Sequence, residues 1–251
     1  MTLRWQELKT TDFGQTADNR IAVLPVAAIE QHGPHLPLGT DAIIANGLVD
    51  RAITALPDGS PALFLPCLEI GKSTEHGTFP GTLSLSWTTA IKTLLDIGDS
   101  IARSGVKKLI IITSHGGNSS SMETAGRELR AKQGMMVVTT AWERLGMERT
   151  DPIDIHGGEL ETSIMLALRP DLVDMEKAED FKSTQSEMKS NNDHLGFHTS
   201  NASISWLAQD LNTNGVVGNA AAATREQGEK HIERSVSGFI KLLEETAKTS
   251  I

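Results

Sequence analysis

Carboxylate and imidazole side chains recur in short stretches of this sequence that follow predicted strands. In the first stretch, Glu30 and His32 are two residues apart, and Asp41 follows shortly after. An extended chain directs residues i and i+2 to the same side, so Glu30 and His32 can face one site. Carboxylate plus imidazole is a ligand set that suits Zn²⁺, Mn²⁺ or Fe²⁺. The alternative is that Asp41 only caps the next helix and that the histidines are surface loop residues.

The second stretch is His115-Gly116-Gly117-Asn118, directly after the most apolar strand. The two glycines allow the backbone to approach a ligand closely or to adopt positive φ. Capping of the following helix is the role expected for Asn118. The position of His115 at the carboxyl end of a strand favours chemistry over packing.

The third stretch, from His156 to Glu161, again joins a histidine to two glycines and two acids. Glu159 and Glu161 lie at a predicted helix start, where the helix dipole favours acids, so a purely structural role is an alternative. A fourth stretch carries His76 and Phe79 in a loop marked by Gly and Pro, where His76 either lines a pocket or is an ordinary loop residue. Because several separate segments offer such residues, a metal site is better supported by the set than by any one segment.

The elements that would position these residues alternate between strand and helix, which predicts an α/β fold with a mainly parallel sheet covered on both faces. In such folds the ligand site lies beyond the carboxyl ends of the strands. We expect one domain over residues 1–251, with an irregular polar insertion around 182–214 that lies at the active site or in an oligomer contact. The predicted strands are 21–28, 62–68, 107–113 and 135–141, and the predicted helices are 41–56, 87–104, 118–132, 159–168 and 222–248.

Composition excludes several other classes of function. The formal net charge is −9 and no Lys/Arg-rich block occurs, so neither nucleic acid nor an anionic membrane is expected as a partner. The only cysteine is Cys67, which rules out a thiolate metal site. The polar N-terminus and the lack of a long apolar run predict a cytoplasmic protein.

Together these stretches resemble the creatininase (creatinine amidohydrolase) family over roughly residues 20–245. The resemblance is carried by Glu-Gln-His-Gly-Pro-His at 30–35 with Thr40-Asp41, by Glu75-His76 with Phe-Pro-Gly-Thr at 79–82, by His-Gly-Gly-Asn at 115–118, and by His-Gly-Gly-Glu-Leu-Glu-Thr at 156–162. It implies a three-layer α/β/α sandwich, a homohexamer, and two divalent metal ions per subunit, with Zn expected ahead of Mn or Fe.

The resemblance also assigns roles to individual residues. Glu30 and His115 would bind one metal, His32 and Glu159 the other, and Asp41 would bridge the two. The proton shuttle would be His156, oriented by Glu161, which could instead orient the substrate. Contacts to the substrate are expected from His76, Phe79, Trp142, Gly116 and Gly117.

The sequence departs from creatininase itself at Gly116 and Gly117, where that enzyme has Tyr and a metal-binding Glu. We therefore expect another branch of the family, in which metal-activated water cleaves a C–N bond of a small amide, formamide or cyclic amide. Hydrolysis of a cyclic ketone or sugar-derived substrate, or of a peptide, is the alternative within the family. A metal-binding sensor or structural subunit without catalysis is the alternative of another class. A serine esterase and a nucleotide-binding enzyme are disfavoured, because neither G-x-S-x-G nor a phosphate-binding glycine motif occurs.

Overall fold

The central element of the protein is a four-stranded parallel sheet. A computed structural model describes residues 2–14, 17–197 and 201–251. The strands lie in the order β2-β1-β3-β4, and every neighbouring pair is parallel. Their bounds are β1 Ile21–Val26, β2 Ala62–Phe64, β3 Lys108–Thr113 and β4 Met136–Ala141. This confirms the predicted α/β class and the parallel sheet.

Helices cover both faces of this sheet and complete three layers. They are α1 Thr40–Ala55, α2 Trp87–Arg103, α3 Ser119–Gln133, α4 Glu159–Leu168, α5 Gln185–Asn191, α6 Ala208–Leu211 and α7 Arg225–Lys248. Alternate residues of β1 face opposite sides: Val23 packs with α1, α4 and α7, whereas Leu24 packs with α2 and α3. Because β1, β2 and most of β3 are apolar on both faces, a sheet buried between two helical layers is needed to remove this surface from water, whereas the edge strand β4 is only partly buried.

The second strand is shorter than its apolar run predicts. Pro66 follows β2 and has no N–H to donate to a ladder, so regular pairing ends before it. The chain pairs once more where Leu68 forms an isolated bridge with Val26. The end of β2 is therefore set by proline and not by loss of hydrophobicity.

The predicted insertion at 182–214 contains only short elements. Two-residue strands add small sheets beside the main one, and residues 198–200 lie outside the described part of the chain. β6 Leu195–Gly196 and β7 Ala202–Ser203 lie within the insertion and are parallel, whereas β5 Asp180–Phe181 and β8 Gly218–Asn219 flank it and are antiparallel. No helix in the described ranges is both long and apolar enough to cross a membrane.

The close packing of α7 on α4 gives a test of the outer layer. A Cβ built on Gly228 would lie 1.9 Å from the backbone oxygen of Ser163, an approach that only glycine permits. We expect Gly228→Ala to lower the free energy of unfolding by about 1–3 kcal/mol, as overpacking of a tight interface does. Ser237→Ala, at an exposed position of α7, is the matched control and should cost nothing. Urea denaturation of both variants measures the difference, and equal midpoints would contradict the close approach.

Candidate metal centre

Five acidic and imidazole side chains converge at the carboxyl edge of the sheet. Glu30 and His32 come from the loop after β1, Asp41 from the first turn of α1, His115 from the end of β3, and Glu161 from the first turn of α4. Adjacent parallel strands β1 and β3 end at the same edge, which brings their following loops together. The first four of these residues are ones for which the sequence predicts a shared site.

One group within the cluster consists of Glu30, Asp41 and His115. Nδ1 of His115 lies 3.1 Å from Oε1 of Glu30 and 3.7 Å from Oδ2 of Asp41. Nε2 of His115 lies 2.9 Å from the carbonyl oxygen of Lys72, which can only accept, so the ring proton is on Nε2. The lone pair of Nδ1 is left facing the two carboxylates.

A second group consists of His32, Asp41 and Glu161. Nε2 of His32 lies 3.6 Å from Oδ1 of Asp41 and 3.6 Å from Oε2 of Glu161. In the neutral form of His32, which is the form that binds a metal, the Nδ1 proton is donated to the carbonyl oxygen of Glu30 at 3.1 Å and Nε2 carries no proton. Asp41 therefore belongs to both groups and presents one oxygen to each. The N-cap of α1 is Gly39 and Asp41 lies inside the first turn, so Asp41 is not the N-cap that the alternative supposes.

The cluster fits a divalent cation better than it fits a network of hydrogen bonds. Four of its buried polar atoms have no hydrogen-bond partner among the described residues: Glu30 Oε1, Glu30 Oε2, His32 Nε2 and Asp41 Oδ2. Burial of such groups costs several kcal/mol unless a partner offsets it. Ligands that each lie about 2.0–2.2 Å from a zinc ion are roughly 3–3.6 Å apart, close to the separations observed here. The donor set of carboxylates and imidazoles is one that divalent transition metals accept.

The electrostatics of the cluster also call for positive charge. Burial raises the pKa of Asp41 to about 7, and the neighbouring carboxylate of Glu30 adds to the rise. Burial opposes protonation of His115, yet Glu30 and Asp41 raise its pKa to about 10. Burial likewise opposes protonation of His32, whose pKa Asp41 and Glu161 nevertheless raise to about 9. The carboxylates therefore create a potential that attracts cations to both imidazoles.

His156 lies beside the cluster in a neutral state. Burial and the nearby His32 lower the pKa of His156 to about 4. Its Nε2 proton is donated to the carbonyl oxygen of Gln31 at 2.7 Å, so the basic atom is Nδ1, 3.6 Å from Oε1 of Glu30. The ring stacks on His76 with centroids 4.0 Å apart. His156 also forms a third candidate group with Glu30 and His32.

Gln31 is a positioning residue that sequence reasoning did not single out. Its side-chain nitrogen lies 2.8 Å from Nδ1 of His76 and donates to the carbonyl of Gly215 at 2.7 Å, while its side-chain oxygen accepts from Gly33. An amide between two charged neighbours looks like a spacer in the sequence. The available signal was the alternation of side-chain directions along an extended chain, which places Gln31 on the side opposite to Glu30 and His32.

Asn118 likewise differs from its predicted role as a helix cap. It stands at the cap position of α3, but its side chain makes no capping hydrogen bond. Instead, its amide nitrogen donates to the carbonyl of Ala27 at 3.0 Å, and its oxygen accepts from the backbone of Lys72 at 2.9 Å. Asn118 thus ties the segments that follow β1 and β3 to the loop that bears the hydrogen-bond partner of His115.

Glu159 does not lie where the sequence predicts. Its carboxylate accepts hydrogen bonds from Ser163 at 3.0 Å and Thr150 at 3.2 Å, and it belongs to none of the candidate ligand groups in the described residues. Glu161 occupies the place expected for Glu159. Successive helical residues are about 100° apart, so two positions separated by two residues face nearly opposite sides of α4. The structure thus turns Glu161, and not Glu159, towards the cluster.

A cleft of about 810 Å³ opens from the cluster. Four of the residues expected to contact substrate line it: His76, Gly116, Gly117 and Trp142. Phe79 is not among the lining residues, and the ring of Trp142 is buried against Phe239 in the core. The insertion contributes Phe197 and residues 203–207 to the cleft.

The chain is similar to known proteins in both sequence and structure. The family model for creatininase, described as creatinine amidohydrolase, matches residues 2–243. A creatinine amidohydrolase of Pseudomonas putida is 34% identical over 200 residues, which cover 71% of this chain and 74% of that protein. A mycofactocin precursor peptide peptidase of Mycobacterium ulcerans is 34% identical over 66% of each chain.

Solved structures give the same result at the level of the fold. The structure described as "Creatininase Mn" superposes with a TM-score of 0.79 at 27% identity, covering 99% of this chain and 100% of that one. A mutant creatininase of Zn-Zn type superposes with a TM-score of 0.77 at 28% identity, over 99% of this chain and 100% of that one. Those neighbours are thus described with manganese and with zinc.

Proposed function

The chain belongs to the creatininase family, whose members are metal-dependent hydrolases, and from that premise we propose that it cleaves a C–N bond of a small amide, formamide or cyclic amide. The proposed ligands of two divalent ions are Glu30, Asp41 and His115 for one, and His32, Asp41 and Glu161 for the other. The observation that carries the proposal is the convergence of unpaired, buried oxygen and nitrogen atoms from these side chains. Zinc is proposed ahead of manganese or iron.

Each of the chain's own residues has a part in the proposed reaction. When bound, divalent cations lower the pKa of water and polarise a carbonyl group. Asp41 holds the two ligand groups in register, because its two oxygens face His32 and His115. His156 is neutral and its Nδ1 is free, so it accepts a proton there and passes it to the departing nitrogen. The main-chain carbonyl oxygen of Gln31 accepts the Nε2 proton of His156 and so keeps that nitrogen protonated.

A peptide substrate is the second candidate, favoured by the dimensions and charges of the cleft. Its volume of about 810 Å³ lies in the upper part of the range for drug-sized ligands, well beyond the size of one small ring. Arg144 lines the cleft and makes no hydrogen bond or ion pair with any described residue, whereas Arg149 pairs with Glu143. A free guanidinium beside apolar walls would bind the carboxylate of a peptide. A peptidase of Mycobacterium ulcerans is among the relatives.

Removal of metal tests the proposal directly. We expect a strong chelator to reduce turnover to background and Zn²⁺ or Mn²⁺ to restore it, while reagents for active-site serines have no effect. The substrates to compare are formamides, cyclic amides, cyclic ketones and short peptides with free or amidated C-termini. Full turnover by protein shown to be metal-free would contradict the proposal. Bound metal without turnover on any of these substrates would instead support a sensor or structural subunit.

Assembly and location stay predictions from the sequence. The molar mass of a homohexamer, measured by sedimentation, would be about six times the subunit mass of 27.0 kDa. The cytoplasm is the location proposed for the enzyme.

A further inference from the structure

Glu75 is a carboxylate beside the cluster that the proposed reaction does not use. It lies in a short 3₁₀ turn, Thr74–His76, and its Oε1 is 3.4 Å from Nε2 of His115. Its side chain is only 20% exposed. This contact is the one ion pair or hydrogen bond of the Glu75 side chain among the described residues.

The local backbone is shaped to admit this carboxylate. A Cβ built on Gly117 would lie 2.1 Å from Oε1 of Glu75, 2.4 Å from Nε2 of His115 and 2.7 Å from the carbonyl oxygen of Lys72. A Cβ on Gly116 would meet nothing within 4 Å. Neither glycine has positive φ, so conformational freedom does not explain residue 117. Gly117 lacks a side chain because the carboxylate and the imidazole fill that space.

We propose that Glu75 is a positioning residue for the metal centre, which holds the proton of His115 on Nε2 and thereby keeps Nδ1 aimed at Glu30 and Asp41. This inference rests on the proposed function. A carboxylate on the distal nitrogen of a ligating histidine fixes the tautomer and ring orientation and makes the imidazole a stronger ligand. The Lys72 carbonyl sets the same tautomer, and Glu75 adds negative charge that the carbonyl lacks.

Charge balance supports the same role. The proposed ligands include three carboxylates, from Glu30, Asp41 and Glu161. Two divalent cations carry four positive charges, so three carboxylates leave one of them uncompensated. Glu75 supplies a fourth negative charge through His115, from a segment that provides none of the proposed metal ligands.

The test is the affinity of metal-free protein for Zn²⁺ and Co²⁺, measured by competition with a chromophoric chelator. We expect Glu75→Gln and Glu75→Ala to weaken binding by about 10–100-fold, the usual effect of losing an outer partner of a metal ligand. Glu143→Gln is the matched control, because Glu143 lines the same cleft but pairs with Arg149. The visible spectrum of the Co²⁺ protein should shift in the Glu75 variants and stay unchanged in the control.

The outcomes separate this inference from the proposed function. If the wild-type protein binds no divalent cation, the proposed function fails. If it binds cations and Glu75→Gln binds them equally well with the same Co²⁺ spectrum, only the role of Glu75 is overturned. Thermal unfolding of the metal-free proteins checks that the variants fold. A second comparison uses Gly117→Ala, which perturbs the same contact, and Gly116→Ala as its control. We expect weaker metal binding only for Gly117→Ala.

Discussion

Asp41→Asn should strip metal from the protein and lower turnover by at least about a thousand-fold, more than the ~10–100-fold loss typical of an outer partner. Asp41 is the one residue shared by both ligand groups, with one oxygen facing His32 and the other facing His115. Its loss therefore weakens both sites at once. Elemental analysis and steady-state kinetics measure the two effects. Asp58→Asn is the control, because Asp58 is an exposed aspartate in the loop between α1 and β2.

The same substitution should leave the metal-free protein at least as stable as the wild type. Burial and the carboxylate of Glu30 raise the pKa of Asp41 to about 7 in the folded chain, above its usual value. A raised folded-state pKa means that stability falls as pH rises through the window from about 4 to 7, because ionised Asp41 is penalised in the folded state. A neutral amide removes that penalty at pH 8. Urea denaturation at pH 8 without metal checks the sign, and a strongly destabilised variant would attribute the metal loss to unfolding instead.

The layered fold could be predicted because its physical requirement is visible in the chain. Within the run from Lys107 to Thr113, the four consecutive residues 109–112 are apolar, which a strand buried on both faces requires. Ser86 and Thr224 then cap α2 and α7 by accepting from the backbone three residues on, and Gly105 ends the first of these helices with a φ of +85°. These signals depend on neighbouring residues alone, so they can be recognised without knowledge of the tertiary structure.

The candidate site was predictable only where its residues directly follow neighbouring strands of the sheet. His115 and Glu30 each follow a strand, and neighbouring parallel strands end at one edge, so their proximity follows from the sheet. Glu75 and Gln31 could not be singled out, because their contacts join loops whose approach is set by tertiary packing. For Trp142, the family resemblance implied a substrate contact; the residue lines the cleft, and its ring is also buried against Phe239.

Glu161→Gln and Glu159→Gln form the second decisive comparison, since they change the same charge two residues apart. Oε2 of Glu161 lies 3.6 Å from Nε2 of His32 and accepts from the backbone N–H of Gly157 at 2.6 Å. We expect Glu161→Gln to lose one metal equivalent and at least about a thousand-fold in turnover, since it removes a proposed ligand and exceeds an outer-partner effect. Glu159→Gln should keep both metals, because its hydroxyl partners remain available to the amide oxygen.

The reason the sequence could not decide between these two acids is the connection that precedes them. Gly157 has a φ of +65° and Gly158 stands at the cap position of α4, so the chain can enter the helix in more than one rotational phase. The phase is fixed instead by the contact of α4 with α7, which leaves Glu161 on the side of the cluster, while Glu159 accepts a hydrogen bond from Ser163 one turn along the same helix. Metal analysis of the two variants reports that phase directly. Loss of metal in Glu159→Gln with retention in Glu161→Gln would require α4 to be rotated by about half a turn from the orientation described here.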